Sequence, residues 1–293
     1  MTRRRTEDRE IALTVNGGQR RYLLHVPPAT GREPLPSVVL LHGAGGSAAW
    51  ARDETDLNDL ADRASFVVAY PEGLAIDPSR PSAFLTNPQV WNAGAGPGLI
   101  VNRGPDDVAF LSAVIDDLPR QAPVDPRRVF VTGFSNGAAM TFRLAAERSE
   151  KIAAIAPVAG YCPHVPPVSR SMPTIFIVGD ADPLVPVSGG EIQSPWDRRV
   201  EHRPPIRDSL DRWAAALAGS SPFALRPVAD EAGARVEEYS GLPRPFRVLT
   251  IAGLGHHWPG GRGRLKRSIA GQPSNRIRAN DVIWQFFQDT VGS

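Results

Sequence analysis

The sequence predicts an α/β protein with a mostly parallel central sheet, helices on both faces and no large lid domain. Three observations predict it. Short continuous apolar runs, rich in β-branched residues, recur at 37–41, 66–70, 129–132, 152–159, 174–178 and 247–251; such runs read as strands buried on both faces. Segments with helical spacing fall among them at 50–64, 106–118, 138–148, 210–217 and 280–287. Most links are short, and alternating strands and helices joined by short links build a parallel sheet covered on both sides.

The elements follow in order. Glu10 to Val15 and Arg21 to Val26 flank the turn signal Asn16-Gly17-Gly18 and predict a hairpin. Ser37 to Leu41 is a central strand that runs into His42-Gly43-Ala44-Gly45-Gly46. Phe66 to Tyr70 is a second, stopped by Pro71-Glu72-Gly73. Residues 74–104 are rich in Gly, Pro and Asn, without a period, and predict a long functional loop. Asp106 and Asp107 open a helix, where an acidic first turn suits the helix dipole; capping is the preferred role for both. Val236 to Tyr239 reads as a short edge strand. No repeat or linker appears, so residues 1–293 read as one domain with 1–9 as a flexible start.

Composition bounds the function. Of 293 residues, 42% are hydrophobic and 22% charged, the balance of a globular chain with a sizeable core. Thirty-three basic residues against 31 acidic ones leave a net charge of +2, so nucleic acid is not an expected partner. Arg3-Arg4-Arg5 reads as a solvated terminus. No window approaches the ~20 apolar residues of a membrane span, and no membrane partner is expected. No apolar leader follows the arginines, which reads as cytoplasmic for an untrimmed chain and secreted for a trimmed one. Cys162 is the one cysteine, so an intrachain disulfide is impossible. No His-Glu-x-x-His or Cys/His cluster suggests a metal, and no cofactor is implied.

The stretch that carries chemistry is Arg128 to Met140. A strand runs into Gly133-Phe134-Ser135-Asn136-Gly137 and then into an Ala-, Leu- and Met-rich helix. Strand, tight turn and helix are the context of a nucleophile elbow. A serine needs a base, and the base needs a carboxylate to orient it. In the α/β-hydrolase arrangement these follow in the order Ser, acid, His. The strand at 174–178 ends in Gly179-Asp180-Ala181-Asp182, and the strand at 247–251 ends in Gly253-Leu254-Gly255-His256-His257. Asp180 or Asp182 and His256 or His257 are therefore the candidates; His25, His164 and His202 occupy no comparable place. An oxyanion needs two N–H donors. Asn136 follows the nucleophile, and Ala44 lies in the glycine-rich loop after the first central strand; these are the expected pair.

Taken together, Leu41-His42-Gly43, Tyr70-Pro71-Glu72-Gly73, Trp91-Asn92, Asp106-Asp107-Val108-Ala109-Phe110, Val124-Asp125-Pro126-Arg127-Arg128-Val129, the elbow and Gly255-His256-His257-Trp258-Pro259-Gly260 resemble the polyhydroxybutyrate depolymerase and feruloyl esterase group of carboxylic ester hydrolases. The resemblance covers about residues 20–290 and implies an α/β-hydrolase fold. It implies Ser135, Asp182 and His256 as triad, with His256 placed after Gly-x-Gly and Asp182 just before Pro183. It also implies that Trp91 and Trp258 lie near bound substrate. Two departures stand out: members are commonly secreted, and Ala44 occupies a position where cysteine is frequent.

The expected activity is hydrolysis of short-chain, aryl or hydroxyalkanoate oligomer esters through an acyl-enzyme. A serine peptidase of the same fold, or a binding protein on an inactive scaffold, are the competing readings. The partner is a small-molecule or oligomeric ester; oligomeric state is not encoded. Gly160 to Pro173 holds four prolines and no helical period, too short for a lid. The site is therefore expected to be open, bordered by 74–104 and the segment after Pro186, with little apolar wall.

Overall fold

A computed structural model describes residues 8–28, 33–96, 104–196, 198–228, 230 and 233–291. In chain order the elements are β1 (Arg9–Val15), β2 (Gly18–His25), β3 (Leu35–Leu41), α1 (Ala48–Thr55), α2 (Leu57–Ala64), β4 (Val67–Pro71), β5 (Leu74–Ala75), β6 (Gln89–Val90), α3 (Asp107–Gln121), β7 (Val124–Phe134), α4 (Asn136–Glu147), β8 (Ala154–Val158), β9 (Thr174–Gly179), β10 (Gly190–Gln193), β11 (Val200–Arg203), α5 (Ile206–Ala218), β12 (Ala224–Pro227), β13 (Ala234–Ser240), β14 (Phe246–Ile251), α6 (Arg267–Ala270) and α7 (Ala279–Val291).

Ten strands form one sheet in the order β1-β2-β4-β3-β7-β8-β9-β14-β13-β12. Its centre, β4-β3-β7-β8-β9-β14, is parallel throughout, while the two flanks pair antiparallel. The central strands bury both faces, as their unbroken apolar runs require. Along β3, Val38 and Leu40 enter one core and Val39 and Leu41 the other, the period of two that a pleated strand imposes. Val39 and Leu41 pack with α3, α4 and α5 through Phe110, Phe142 and Trp213. Val38 and Leu40 pack with α1, α2 and α7 through Ala51, Leu60 and Phe287. This is the α/β-hydrolase architecture.

Several elements differ from their sequence reading. The helix expected over 50–64 is two helices, broken at Asp56 in the left-handed region at φ 51°. Aspartate tolerates that conformation better than most residues, and the break turns Leu57, Leu60 and Ala61 onto the sheet. The 74–104 loop is not structureless over its described part: β5 and β6 pair antiparallel, and Asn87 Nδ2 donates to the carbonyls of Asp77, Arg80 and Pro81. The strand expected at the edge, 236–239, is β13; β12 lies outside it, and its four residues, Ala-Leu-Arg-Pro, are too few to show a period. The β10–β11 hairpin was also missed, for its residues alternate too weakly to read. Arg3-Arg4-Arg5 and the rest of 1–7 lie outside the described residues. Asp8 and Arg9, grouped with the flexible start, are held: Asp8 accepts from Arg52 Nη1 at 2.9 Å and Asn58 Nδ2 at 3.0 Å, and Arg9 opens β1.

Among the described residues, no helix is long and apolar enough to cross a membrane. Cys162 is buried, and burial pushes its thiol pKa up, so it is a packing residue and not a nucleophile.

Candidate active site

Ser135 sits between β7 and α4 with φ 56° and ψ −116°, a conformation an L-residue adopts only when its surroundings enforce it. They do so through contact. A Cβ at Gly133 would run into the carbonyl of Gly137, and one at Gly137 into the carbonyls of Leu41 and His42. The two glycines let strand, turn and helix approach closely enough to push the serine out of the sheet edge. Ser135 N–H is satisfied by Val158 O at 2.9 Å, which ties the elbow to β8.

His256 arrives from the exit of β14. Its Nε2 accepts from Ser135 Oγ at 2.9 Å, and its Nδ1 donates to Asp182 Oδ2 at 2.8 Å. Asp182, at the exit of β9, is buried; its Oδ1 accepts from the N–H groups of Leu184 and Val185, each at 2.8 Å. Backbone donors thus hold one carboxylate oxygen and leave the other for the imidazole. The loop carrying His256 is pinned by its own N–H to Ala270 O at 2.6 Å and by Gly255 N–H to Gln272 O at 2.7 Å. A side chain at Gly255 would meet Ala270 O, the reason glycine precedes the histidine.

The loop after β3 faces the same space. Gly45 N–H donates to Gln89 O and Gly46 N–H to Gly43 O. Ala44 N–H has no carbonyl partner among the described residues, and Ala44 lines the cavity beside Ser135 and His256. Asn136 begins α4, so its N–H belongs to the first turn that a helix leaves without internal partners. His42 stiffens this loop from beneath. It is fully buried, with Nδ1 donating to Gly43 O at 2.8 Å and Nε2 accepting from Gly73 N–H at 2.9 Å. Burial lowers its pKa, which keeps the ring neutral and in that tautomer.

A cavity of about 470 Å³ opens from Ser135 and His256. Trp50, Phe84, Leu85, Trp196, Leu265 and Ile269 wall it, so it is mainly apolar, contrary to the bare site expected from sequence. The predicted borders are in place: Phe84 and Leu85 come from the 74–104 loop, Trp196 from the segment after Pro186. Trp196 Nε1 donates to Phe84 O at 3.0 Å and joins the two.

A family profile described as Esterase PHB depolymerase matches residues 20–163. The protein named "Putative esterase NocK", from Nocardia uniformis subsp. tsuyamanensis, is 32% identical over 297 residues, covering 96% of this chain and 82% of the relative. The chain belongs to the esterase PHB depolymerase family of carboxylic ester hydrolases. Poly(3-hydroxyalkanoate) depolymerase C of Paucimonas lemoignei is 30% identical over 145 residues, covering 50% of this chain and 32% of that protein. Among solved structures, an acetyl xylan esterase from Aspergillus awamori superposes with a TM-score of 0.63 at 15% identity, over 97% of this chain and 99% of that one. At that identity the likeness speaks for the fold.

Within this esterase, Ser135, Asp182, His256, Ala44 and Asn136 converge at one site. The two tryptophans do not join them. Trp91 is wholly buried and lines no part of the cavity; its Nε1 donates to His42 O at 2.9 Å, and its N–H donates to Asn136 Oδ1 at 2.7 Å. It braces the loop after β3 against the elbow. Trp258 is buried too, with Nε1 donating to Asn280 Oδ1 at 2.9 Å, and anchors the loop behind His256. The unchosen neighbours are also structural. Asp180 is exposed and caps Gly253 N–H at 2.7 Å; His257 donates from Nε2 to Gly271 O at 3.1 Å, and burial lowers its pKa. Of the helix-opening pair, Asp106 caps Ala109 N–H at 3.0 Å, whereas Asp107 is buried against Arg20 at 2.7 Å and Asn92 N–H at 2.7 Å. The wall residues Phe84, Leu85 and Trp196 escaped the sequence reading. Their one signal was large apolar side chains inside Gly- and Pro-rich stretches.

Proposed function

We propose that the esterase works through an acyl-enzyme, with Ser135 as nucleophile, His256 as base and Asp182 as its orienting carboxylate. Ser135 Oγ attacks the ester carbonyl as its proton passes to His256 Nε2. Asp182 holds the tautomer and stabilises the imidazolium through the Nδ1–H bond. The N–H groups of Ala44 and Asn136 receive the oxyanion, each a contribution of about 10²–10³ in rate. His256 then protonates the departing alkoxide oxygen. Water, deprotonated by His256, cleaves the acyl-serine and releases the carboxylic acid. The observation that carries this reading is the continuous chain Asp182–His256–Ser135, with bonds of 2.8 and 2.9 Å.

The substrates proposed are short-chain, aryl or hydroxyalkanoate oligomer esters, reached through the open cavity. Relatives named for feruloyl esters and poly(3-hydroxyalkanoate) support that class. A hydrolysis panel of phenyl acetate, methyl ferulate, acetylated xylan and hydroxybutyrate oligomers tests it. Turnover of at least one, abolished in Ser135→Ala, is expected. Equal turnover by the variant would remove Ser135 from the mechanism.

A further inference from the structure

Two cavities meet at Ser135, and they differ in size and chemistry. The large one contains His256 and is walled by apolar side chains. The second, about 50 Å³, contains no triad histidine; it is bounded by Asn136, Gly160, Tyr161, Leu184, Trp196 and Arg203. Arg203 comes from β11 and is 8% exposed. Its Nη2 pairs with Glu201 at 2.7 Å, a carboxylate whose side chain is 42% exposed. Its Nε is buried and has no partner among the described residues. A buried guanidinium with one half-exposed partner and an unsatisfied N–H is an incomplete set. Tyr161, beside it, is buried and donates its hydroxyl hydrogen to Pro204 O at 3.3 Å, so its oxygen repels no donor and supplies no anion.

The proton economy of the reaction orients the ester. His256 must reach the leaving oxygen, so the alcohol lies on the side of His256, in the large apolar cavity. The acyl carbon stays on Ser135 with its oxygen between Ala44 and Asn136, which sends the acyl chain toward Asn136, Gly160 and Tyr161. A water occupies about 10–15 Å³ on this scale, so the small cavity holds about four non-hydrogen atoms.

Resting on the acyl-enzyme reading, we propose that the small cavity is the acyl site and that Arg203 is its specificity residue, selecting a short acyl group that ends in a carboxylate, esterified to a bulky apolar alcohol. A guanidinium binds a carboxylate in its own plane. The acyl carboxylate displaces Glu201, which turns to solvent, and completes the hydrogen bonding of Nε.

Two comparisons of kcat/KM test this in the full chain. The isomers 2-phenylethyl acetate and methyl 3-phenylpropanoate reverse the placement of bulk about one ester bond. The first is expected to be hydrolysed at least about 10-fold faster; the opposite order overturns the assignment of the cavities. Benzyl hydrogen malonate, with four non-hydrogen atoms beyond its ester carbonyl, is expected to exceed benzyl butyrate by about 10- to 100-fold, the range of a hydrogen bond to a charged group. Arg203→Met is expected to remove that ratio, Arg203→Lys to restore part of it, and Lys266→Met, at the rim of the large cavity, to leave it intact. Because a ratio within one variant is read, the fraction of folded protein cancels. Butyrate equal to or faster than malonate, or a ratio that falls with Lys266→Met and survives Arg203→Met, overturns the role of Arg203. Hydrolysis of benzyl acetate, lost in Ser135→Ala, separates these failures from failure of the esterase mechanism itself; with no turnover of any ester, both fall.

Discussion

The elbow at 133–137 and the wall segments at 84–85 and 195–196 face the same cavity and are held by different forces. The elbow is backbone locked to backbone. Gly133 pairs with Leu41 on one side and Pro157 on the other, and Phe134 with Val158, all in the parallel centre of the sheet. The walls rest on side chains: the Trp196 Nε1 bond to Phe84 O, and the Phe84 and Trp196 rings 6.5 Å apart. Phe84 is 36% exposed and Leu85 54%. A floor made of buried ladders admits one geometry, which bond-making chemistry needs. Walls made of a few half-exposed contacts can change side chains without disturbing that floor, and so can set selectivity independently of catalysis.

That difference can be broken in order of expected effect. Ser135→Ala should lower kcat by about 10⁴- to 10⁶-fold, with the thermal unfolding midpoint close to that of the parent; an active, folded variant would remove the floor from the chemistry. Next, His256→Ala and Asp182→Asn should each cost about 10⁴-fold in kcat. Their neighbours His257→Ala and Asp180→Asn should instead act mainly on unfolding free energy, measured by urea titration. Larger kcat losses for the neighbours would mean that the register of either loop is displaced.

The walls should respond differently. Trp196→Ala and Phe84→Ala are expected to raise KM for aryl esters by about 10-fold while kcat stays within a few-fold, because binding common to ground and transition state is lost. A collapse of kcat with unchanged KM would place these rings in the catalytic floor.

The smallest effect lies outside the cavity, where His25 Nδ1 meets Asp8 at 3.0 Å and Nε2 meets Asp62 at 2.8 Å, with Arg52 also on Asp8. Burial alone would lower the His25 pKa, but the hydrogen bonds and charges of the two carboxylates outweigh it and raise it. A raised folded value contributes stability that is full below the ordinary histidine value of about 6.5 and fades as pH climbs through the folded value. His25→Gln should therefore destabilise the protein most near pH 6 and progressively less toward pH 9, with esterase activity per folded molecule unchanged. A stability difference that grows with pH would reverse the assigned charge state.

What was legible in the sequence follows the same division. The elbow could be read because its signature is local: Gly133 and Gly137, whose missing side chains clear the carbonyls of Gly137, Leu41 and His42, flank Ser135 in the chain itself. Ala44 and His256 were legible because each follows a central strand within a few residues. Asp56 escaped because a helix break needs one residue and leaves the apolar spacing on either side undisturbed. Trp91 and Trp258 were misplaced because an aromatic beside a functional motif looks alike whether it touches ligand or braces the loop beneath it.

The sequence by itself indicated the class of fold, the chain order of the proposed serine, acid and histidine, and the proposed oxyanion donors, since each is marked by residues close along the chain. Tertiary structure alone decided which aromatic rings wall the cavity and where Arg203 comes to rest. Trp196 meets Phe84 across 112 residues, and Arg203 reaches the space beside Ser135 on a hairpin whose strands carry almost no periodic signal. Contacts between segments so far apart depend on how the β-sheet brings their loops to one edge, and no local pattern of residue types records that distance.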